Sequence, residues 1–462
     1  MGSKWKTSFL TDHYIISSGL SKPAKDFGTG YPFLSFKDIF YNYFLPDSLT
    51  QLVQSTDKER AACSVKRGDV FLTRTSETMH ELGMSSVALK DYVYATFNGF
   101  CKRLRPKEES ELEPEYVGYY LRSPLFRQNM LAFSTMSTRA SLNNEMISRL
   151  EISYPGRKIQ KKIAHVLLSL DKKIAISKAI NQTLEKMSQT LFKSWFVDFD
   201  PVIDNALDAG NPIPEALQSR AELRQKVCNS ADFKPLPADI RALFPAEFEE
   251  TELGWVPKSW EIATFDSFCD LIQSGGTPSR KETSFWDEGT IKWLSSGEVK
   301  DKIILDTKEK ITDIGLLNSS AKLWKKYTTV VAMYGATAGE VCIIGDTMTA
   351  NQACCGLYSD TYPFFVYNFV SNKASELASK ATGSAQQNLN KLIISSTKFM
   401  RPSNKVITAF EDNSAPLLMK WFSNTSENNK LTALRDTLLP KLISGELSLE
   451  DLPNLVNQTE AA

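Results

Sequence analysis

Histidine and cysteine are the side chains that most often hold metals or act as nucleophiles, and this chain carries few of either in useful positions. Its three histidines, His13, His80 and His165, stand in no metal-ligand spacing, and the Glu after His80 has no second His to complete a zinc-protease motif. The seven cysteines are scattered, only Cys354 and Cys355 are adjacent, and no Cys-x-x-Cys pair occurs. We therefore expect buried, reduced thiols, no metal site and no catalytic residue in this chain.

Two glycine-containing stretches are the remaining candidates for a nucleotide or cofactor site. Residues 27–30 (FGTG) follow a loop-like SKPAKD segment instead of a buried strand, which favours a structural turn. Residues 335–339 (GATAG) are followed by Glu340, where a phosphate-binding loop has Lys and then Ser or Thr. The chain also lacks any Pro-Pro pair, and so lacks the Asn/Asp-Pro-Pro-aromatic tetrapeptide of DNA methyltransferases. We predict that the chain is not an enzyme and binds no cofactor itself.

Recognition of another molecule is the activity that the remaining residues favour. Basic and polar residues with aromatic neighbours occupy the loops between β-like runs, and residues 384–388 form a cluster of amides. Arg and Lys neutralise phosphates, while Asn, Gln and Arg can read base edges, although ordinary solvated loops have a similar composition. The DNA-binding candidates from these loops are Arg74, Lys102, Arg103, Lys326, Tyr334, Ser384, Gln386, Gln387 and Asn388.

The composition is that of a globular protein with more than one domain. A chain of 462 residues, with 42% hydrophobic and 23% charged content, exceeds one ordinary core and predicts roughly two to four domains. Basic and acidic residues number 54 each, so the net charge is zero and basic faces have to be sought locally. We find no apolar run of about 18 residues and no secretory leader. We therefore expect a cytoplasmic protein that does not contact a membrane.

The chain repeats itself at about half its length. Similar segments follow one another in the same order in both halves, at offsets that drift slightly, as duplicated domains with loop insertions would. The matches are Leu34-Ser35 with Leu294-Ser295 at an offset of 260, residues 138–144 with residues 382–388 at 244, and Asn181 and Thr190-Leu191 with Asn428 and Thr437-Leu438 at 247. The sequence therefore predicts two related halves.

Each half begins with short β-like runs and closes with a long helical pattern. The runs that we expect to be strands are residues 69–73, 92–96, 329–333 and 341–344. Gly, Asn, Asp and Ser interrupt them, which predicts a mixed and irregular sheet domain. Apolar residues at steps of three and four follow in each half, and this spacing indicates a helix with a coiled-coil seam.

Three further features of the sequence concern the two predicted helices. Pro416 is expected to start a helix, so we predict a break between Phe410 and Pro416. Asn181 and Asn428 occupy equivalent positions, either as polar residues within the seam or as solvent-facing residues. An aromatic patch then follows the first helix and is too apolar for a solvated tail. Its residues, predicted to bind a partner or to pack within the chain, are Trp195, Phe196 and Phe199.

Four segments carry a resemblance to a known family. They are TLFKSWFVDFDPV (190–202), ELGWVPKSWE (252–261), TGSAQQNLN (382–390) and LRDTLLPKLISGEL (434–447). Together with the half-length repeat they span nearly the whole chain, which resembles the specificity subunits of type I restriction-modification systems. The first amide loop, TRASLNN (138–144), matches the family pattern less well. It supplies two further DNA-binding candidates, Arg139 and Asn143.

The resemblance implies an α+β fold with two mixed-sheet target recognition domains in tandem, each followed by a long helix. The two helices would pack as an antiparallel coiled coil that holds apart two domains, each reading one half of a split DNA site. The implied boundaries are 1–155 for the first recognition domain, 156–200 for the central conserved helix, 201–255 for a linker, 256–402 for the second recognition domain, 403–447 for the distal conserved helix and 448–462 for a tail.

The resemblance also implies partners for a non-catalytic subunit. These are double-stranded DNA, two modification subunits that bind S-adenosylmethionine and methylate adenine, and restriction subunits that use ATP. A stand-alone DNA methyltransferase or nuclease with a fused recognition module is the alternative, and the missing tetrapeptide argues against it. A purely structural coiled-coil scaffold would leave the two large sheet domains unexplained.

Overall fold

The computed structural model describes residues 5–76, 81–132, 140–231, 233–380 and 388–449. The chain divides into two compact units, one formed by residues 1–175 with 429–462 and the other by residues 176–428. Both boundaries fall inside long helices, so each unit contains a piece of both helices. Over the described ranges, we find no helix that is long and apolar enough to cross a membrane.

The first unit contains a four-stranded sheet, a three-stranded sheet and two short strand pairs. Its strands are β1 (Lys6–Phe9), β2 (Tyr14–Ser18), β3 (Phe27–Leu34), β4 (Gln51–Val53), β5 (Val70–Thr73), β6 (Thr75–Ser76), β7 (Ser85–Val87), β8 (Thr96–Phe97), β9 (Cys101–Pro106), β10 (Ala140–Ser141) and β11 (Glu151–Tyr154). The sheets have the orders β2-β9-β5-β7 and β4-β3-β8, and the pairs are β1-β11 and β6-β10. The central strand β5 reads VFLT and is buried throughout, as β-branched and aromatic residues favour.

Short helices cover these sheets, and the first long helix follows them. The short helices are α1 (Leu10–His13), α2 (Phe36–Tyr41), α3 (Asp57–Ala62), α4 (Pro114–Tyr120), α5 (Pro124–Ala132) and α6 (Asn144–Ser148). The long helix is α7 (Arg157–Phe196). Polar caps define where several of them begin. At α2, for example, Ser35 accepts a hydrogen bond from the Asp38 amide while Asp38 accepts one from the Ser35 amide.

The second unit repeats this plan with small additions. Its strands are β12 (Phe248–Thr251), β13 (Gly254–Pro257), β14 (Glu261–Thr264), β15 (Leu271–Ser274), β16 (Ile291–Leu294), β17 (Ile303–Ile304), β18 (Glu309–Ile311), β19 (Thr329–Ala332), β20 (Val341–Ile344), β21 (Thr349–Ala350), β22 (Cys354–Tyr358) and β23 (Lys398–Arg401). Its helices are α8 (Asp200–Ala209), α9 (Gln218–Cys228), α10 (Ala238–Arg241), α11 (Phe265–Phe268), α12 (Asp313–Leu317), α13 (Pro363–Lys380), α14 (Lys391–Ser395) and the long α15 (Asn404–Ser444).

The strand orders confirm that the two halves share one fold. The sheet β15-β22-β19-β20-β17 corresponds to β2-β9-β5-β7 with one strand added, and β18-β16-β21 corresponds to β4-β3-β8. The pair β14-β23 likewise corresponds to β1-β11. The prediction of two mixed-sheet domains in tandem, each followed by a long helix, is therefore confirmed.

The predicted strand at residues 92–96 is wrong. Tyr92 makes only an isolated bridge to Val65, and the strand proper, β8, is confined to Thr96–Phe97. Between them Tyr94 has a φ of +59°, a left-handed conformation that interrupts an extended chain. The alternation of apolar residues in this stretch thus belongs to a turn.

The two long helices pack against each other in the opposite sense. In the second unit, Asn424 on α15 donates a hydrogen bond to Asn181 on α7 at 2.8 Å, and the rings of Phe192 and Phe410 lie 5.7 Å apart. Higher residue numbers on α7 therefore meet lower numbers on α15, as in an antiparallel pair. This arrangement confirms the predicted antiparallel coiled coil.

The predicted break before Pro416 is wrong, because α15 runs without interruption from Asn404 to Ser444. A proline within a helix removes one hydrogen bond and crowds the preceding turn. Here Phe410 and Leu418, on either side of Pro416, are fully buried in the core of the second unit. Tertiary packing of this apolar face outweighs the local cost.

The seam asparagines are buried within the second unit. Asn181 and Asn428 are 7% and 6% exposed, which matches the seam placement and excludes the solvent-facing one. Asn181 accepts a hydrogen bond from Asn424, one helical turn before Asn428, and donates one to the Thr425 hydroxyl at 3.4 Å. A buried pair of amides at one level of the helices favours a single register.

The aromatic patch lies in the core of the second unit. Trp195, Phe196 and Phe199 are 1%, 8% and 9% exposed. Their rings contact those of Phe244, Phe365 and Trp260 at centroid distances of 5.1, 5.2 and 5.6 Å respectively. This packing supports the intramolecular alternative, so we do not carry these rings into a partner interface.

The acidic end of the TLFKSWFVDFDPV segment joins a helical hairpin in the region that we predicted as a linker. Asp200, at the start of α8, accepts two hydrogen bonds of 2.7 Å from Arg220 of α9. One turn further on, Asp204 and Arg224 form a second bidentate pair. Paired carboxylates and guanidiniums thus join α8 to α9.

Candidate nucleic-acid interface

One edge of the sheets in the first unit is held by a set of backbone hydrogen bonds that we call the edge frame. The turn at Asn98 is its centre. The backbone amide of Asn98 donates to the Leu34 carbonyl at 3.1 Å, and the side-chain oxygen of Asn98 accepts from the backbone amide of Phe100 at 2.8 Å. An Asn that bonds to the backbone two residues ahead stabilises a tight turn. The Arg74 amide then donates to Phe100 at 2.8 Å, and the Leu142 amide donates to Arg74 at 2.7 Å.

The second unit contains the same edge frame, bond for bond. The backbone amide of Asn351 donates to the Leu294 carbonyl at 2.9 Å, and the side-chain oxygen of Asn351 accepts from the backbone amide of Ala353 at 3.1 Å. The Met333 amide donates to Ala353 at 2.7 Å, and the Leu389 amide donates to Met333 at 2.8 Å. Two halves with different sequences thus position four chain segments in the same way.

The edge frame corrects one match that we made between the halves. Leu142 corresponds to Leu389, an offset of 389 − 142 = 247, whereas the sequence comparison used an offset of 244 in this region. The following residues agree with 247, because Asn143 and Asn390 each cap a short helix by accepting a hydrogen bond from the Met146 and Ile393 amides. The sequence comparison thus matched the two amide loops three residues out of register.

The side chains that project from the edge frame differ between the units. In the first unit, Arg74 is exposed and the Phe100 ring is 63% exposed. In the second unit, Tyr334 is 41% exposed, and Gln352 and Asn388 are exposed beside it. Tyr334 and Asn388 form an isolated bridge, which places these two predicted residues next to each other. One frame thus carries two different sets of recognition-type side chains.

Sequence reasoning missed Phe100 and Gln352. A signal for them was present, since Asn98-Gly-Phe-Cys101 and Asn351-Gln-Ala-Cys354 both have the form Asn-x-x-Cys at an offset of 253. In both units the Cys amide donates to the Asn carbonyl, at 3.0 and 3.1 Å, and the Cys side chain is fully buried. Burial raises the pKa of the Cys101 thiol to about 12, so this cysteine acts as a packing residue.

Lys102 and Arg103 are buried in the first unit, which does not fit direct contact with DNA. Both lie in strand β9, between β2 and β5. Lys102 donates to the Ser18 hydroxyl at 2.9 Å, and Arg103 donates to the Ser64 carbonyl at 2.6 Å. Burial lowers the pKa of both side chains. Both side chains are bonded within the first unit, and we leave them out of the proposed interface.

The remaining candidates divide between other places. Lys326 is exposed but lies before β19, at the end of that strand opposite to Tyr334. The Asn143 side chain serves as the cap of α6, two residues beyond the strand β10. Arg139, Ser384, Gln386 and Gln387, like His80, lie outside the described residues, so their roles stay predictions.

The described residues hold no cluster suited to a metal ion, since we find no group of three or more His, Cys, Asp or Glu side chains that could bind one. The FGTG stretch forms part of strand β3, where Gly28 and Gly30 have φ values of +99° and +105° around an irregular pairing with β4. A left-handed backbone within a strand is the reason for glycine here. The stretch thus forms an irregular strand, where the sequence predicted a turn.

Comparison with known proteins identifies the family. The model of the type I restriction modification DNA specificity domain matches residues 2–186 and 257–410. The chain is 27% identical to the type I restriction enzyme HindI specificity subunit of Haemophilus influenzae, over 96% of this chain and 100% of that one. It is 23% identical to the MjaIX specificity subunit of Methanocaldococcus jannaschii, over 97% and 94% of the two chains.

A solved structure shows the same fold. The S subunit of a type I restriction-modification system from M. genitalium aligns with a TM-score of 0.56 at 13% identity, covering 95% of this chain and 96% of that chain. The family match identifies the two tandem domains as DNA target recognition domains. It identifies this chain as a recognition subunit, not an enzyme. The chain therefore belongs to the family of DNA specificity subunits of type I restriction-modification systems.

Proposed function

We propose that each half of this chain reads one half of a split double-stranded DNA site through the side chains on its edge frame. The observation that carries the proposal is the repetition of the frame with different exposed residues. Shared backbone bonds would present the side chains to DNA in the same way in both halves. Different side chains would then select different bases.

The two sets of side chains suit different contacts. Arg74 can donate two hydrogen bonds to a guanine edge, and the exposed ring of Phe100 can contact a thymine methyl group. Tyr334 and Asn388 offer hydroxyl and amide groups in the second unit. The predicted residues Arg139, Ser384, Gln386 and Gln387 belong to segments that lead directly into the edge frames, and we retain them as candidates for contacts with bases or phosphates.

We further propose that the chain works in an assembly. Its relatives are named as specificity subunits of restriction enzymes, which supports partners that carry out the chemistry. These would be two modification subunits with S-adenosylmethionine and restriction subunits with ATP, in the cytoplasm. The long antiparallel helices would serve as the spacer between the half-sites.

Competition binding with the assembled complex tests the proposal. The target would first be defined by mapping methylated adenines in cells that express the system. Wild type, Arg74→Ala and Asn388→Ala complexes would then be challenged with every single-base variant of that target. We expect Arg74→Ala to relax only the first half-site and Asn388→Ala to affect only the second. Absence of specific binding by the wild-type complex, or relaxation of the same half-site by both variants, would contradict the proposal.

A further inference from the structure

Gln352 is an exposed polar side chain at the centre of the second edge frame, and Gly99 takes its position in the first. It follows Asn351 directly, and its amide group is exposed. The hydroxyl of Thr277 donates a hydrogen bond to its Oε1 atom. A neighbouring side chain therefore restrains the amide of Gln352 before any ligand is bound.

The segment that carries Thr277 is itself well fixed. The preceding residue, Gly276, donates its amide hydrogen to Ala350 at 2.8 Å and accepts a hydrogen bond from the Trp293 indole at 3.0 Å. The Cβ of any larger residue at Gly276 would collide with the backbone of Ser320. The contacts of Gly276 thus fix the backbone that leads directly into Thr277, and Gln352 is oriented through Thr277.

We propose that Gln352 reads an adenine in the half-site bound by the second recognition domain. An amide with Oε1 already oriented presents the Nε2 hydrogens and the second lone pair of Oε1 side by side. The major-groove edge of adenine offers the complement, an acceptor at N7 and a donor at N6. Phosphate offers acceptors alone, so it could pair with the Nε2 hydrogens but would leave the second lone pair of Oε1 unused. The inference rests on the proposed DNA-reading function and adds the residue and the base.

The first unit shows what the same frame does without this side chain. Gly99 takes the position of Gln352, and a Cβ there would collide with the Ser21 hydroxyl. The side chains that project nearby are Arg74 and Phe100, neither of which pairs with adenine in the same bidentate way. Adenine reading from this position is therefore a property of the second half-site.

The test uses the assembled complex and duplexes in which each adenine of the mapped target is replaced in turn by 7-deazaadenine, which lacks the N7 acceptor. With wild-type protein we expect one adenine of the second half-site to be sensitive to the replacement. In the Gln352→Ala complex the affinity for the unmodified target should fall about 10- to 100-fold. The same replacement should then have no further effect, as expected when both changes remove one contact.

Two further variants define the role of each residue. Thr277→Val keeps the shape of the side chain but removes the hydroxyl, so it should weaken binding at the same adenine by a smaller factor, as expected of a positioning residue. Gln225→Ala, on the exposed face of α9 outside the recognition domains, should bind like wild type.

The outcomes separate this inference from the proposed function. If the wild-type complex binds no specific DNA, the proposed function fails. If the wild type binds but Gln352→Ala keeps the same sensitive adenine, the inference is overturned while the proposed function stands. If Gln352→Ala lowers the affinity equally for all DNA sequences, the inference is overturned in favour of a contact with the DNA backbone. If the change is confined to the first half-site, the assignment of the base to the second domain is overturned.

Discussion

Glu411 on the long helix α15 caps the recognition-domain helix α13, and its substitution gives a prediction whose sign depends on pH. The Phe364 and Phe365 amides donate to its two carboxyl oxygens at 2.9 and 2.7 Å. Amides in the first turn of a helix have no acceptor within the helix. Glu411 therefore joins α13 to α15 within the second unit.

Burial raises the pKa of the Glu411 carboxyl from 4.5 to about 7, and the nearby Asp412 adds to this, while the two amide hydrogen bonds oppose it. The fold thus favours the protonated form. The contribution of protonated Glu411 to the free energy of unfolding is fully present below pH 4.5, and it is lost as the pH rises through about 7. The difference between these pKa values corresponds to about 3 kcal/mol, since one pH unit corresponds to about 1.4 kcal/mol.

Glu411→Gln replaces this group with one that does not titrate. Gln can accept only one of the two amide hydrogen bonds, and we expect that loss to cost about 1–2 kcal/mol at every pH. A Gln in this role is not foreign to the fold, because Gln160 on α7 caps α4 by accepting from the Glu113 amide at 2.9 Å. Relative to wild type, the variant should gain about 2.5 kcal/mol between pH 5 and pH 8, because part of the wild-type contribution is already lost at pH 5.

Urea unfolding followed by tryptophan fluorescence measures this directly. All tryptophans except Trp5 lie within residues 176–428, so the signal reports on the second unit. Glu376→Gln is the matched control, because Glu376 lies at the surface of α13, the helix that Glu411 caps, and Lys373 and Lys380 lower the pKa of its carboxyl. A low pKa leaves Glu376 ionised at both pH values. If the two variants change by the same amount between pH 5 and pH 8, the burial argument for Glu411 is refuted.

Three further substitutions test the core, the helix seam and the amide loop. Trp195→Ala removes a fully buried ring and should lower the free energy of unfolding by about 3–5 kcal/mol in urea titrations, without relaxing the DNA target of complexes that still assemble. Asn181→Leu leaves the side-chain amide of Asn424 without its acceptor and should lower the free energy of unfolding by about 1–3 kcal/mol. Adding Asn424→Leu should largely restore the free energy of unfolding in the same titration. Gln387→Ala should lower the DNA affinity of the complex, and competition binding should show any relaxed base only in the half-site of the second domain.

The tandem fold could be predicted because it depends on patterns that persist along the chain. Offsets of similar size recur in one order, and steps of three and four in the apolar residues mark the two long helices. A strand such as β19, with the sequence TVVA, is buried along its whole length and carries its own local signal. These features do not depend on which segments meet in space.

Two predictions failed where tertiary contacts overrule local sequence. Lys102 and Arg103 made this stretch look like a basic loop, yet it forms strand β9 between β2 and β5, where each side chain donates a hydrogen bond within the first unit. Pro416 has the signature of a helix start, yet buried neighbours on both sides keep α15 continuous. In both cases the deciding interactions are tertiary, because the strands beside β9 and the core against which Phe410 and Leu418 pack come from other parts of the chain.

The edge frame could be predicted only in part. The Asn-x-x-Cys turn was visible as a repeated motif, but its partners are set by strand order. Leu34 reaches Asn98 because β3 pairs with β8, and Arg74 reaches Phe100 because β5 pairs with β9. Sequence spacing gives no access to these pairings, so Gln352 and Phe100 could not be recognised as neighbours of predicted residues.

The chemistry of the edge frame explains how two halves can read different bases without changing fold. Its connections between segments use backbone amides and carbonyls, and its one structural side chain is the turn Asn, Asn98 or Asn351. Substitutions at the projecting positions, such as Arg74 or Gln352, therefore leave the connections intact. Under the proposed function, exchanging those side chains would alter recognition at little cost to stability, since exposed positions tolerate substitution. A duplicated domain built in this way can diverge in the DNA it reads while both copies keep one backbone.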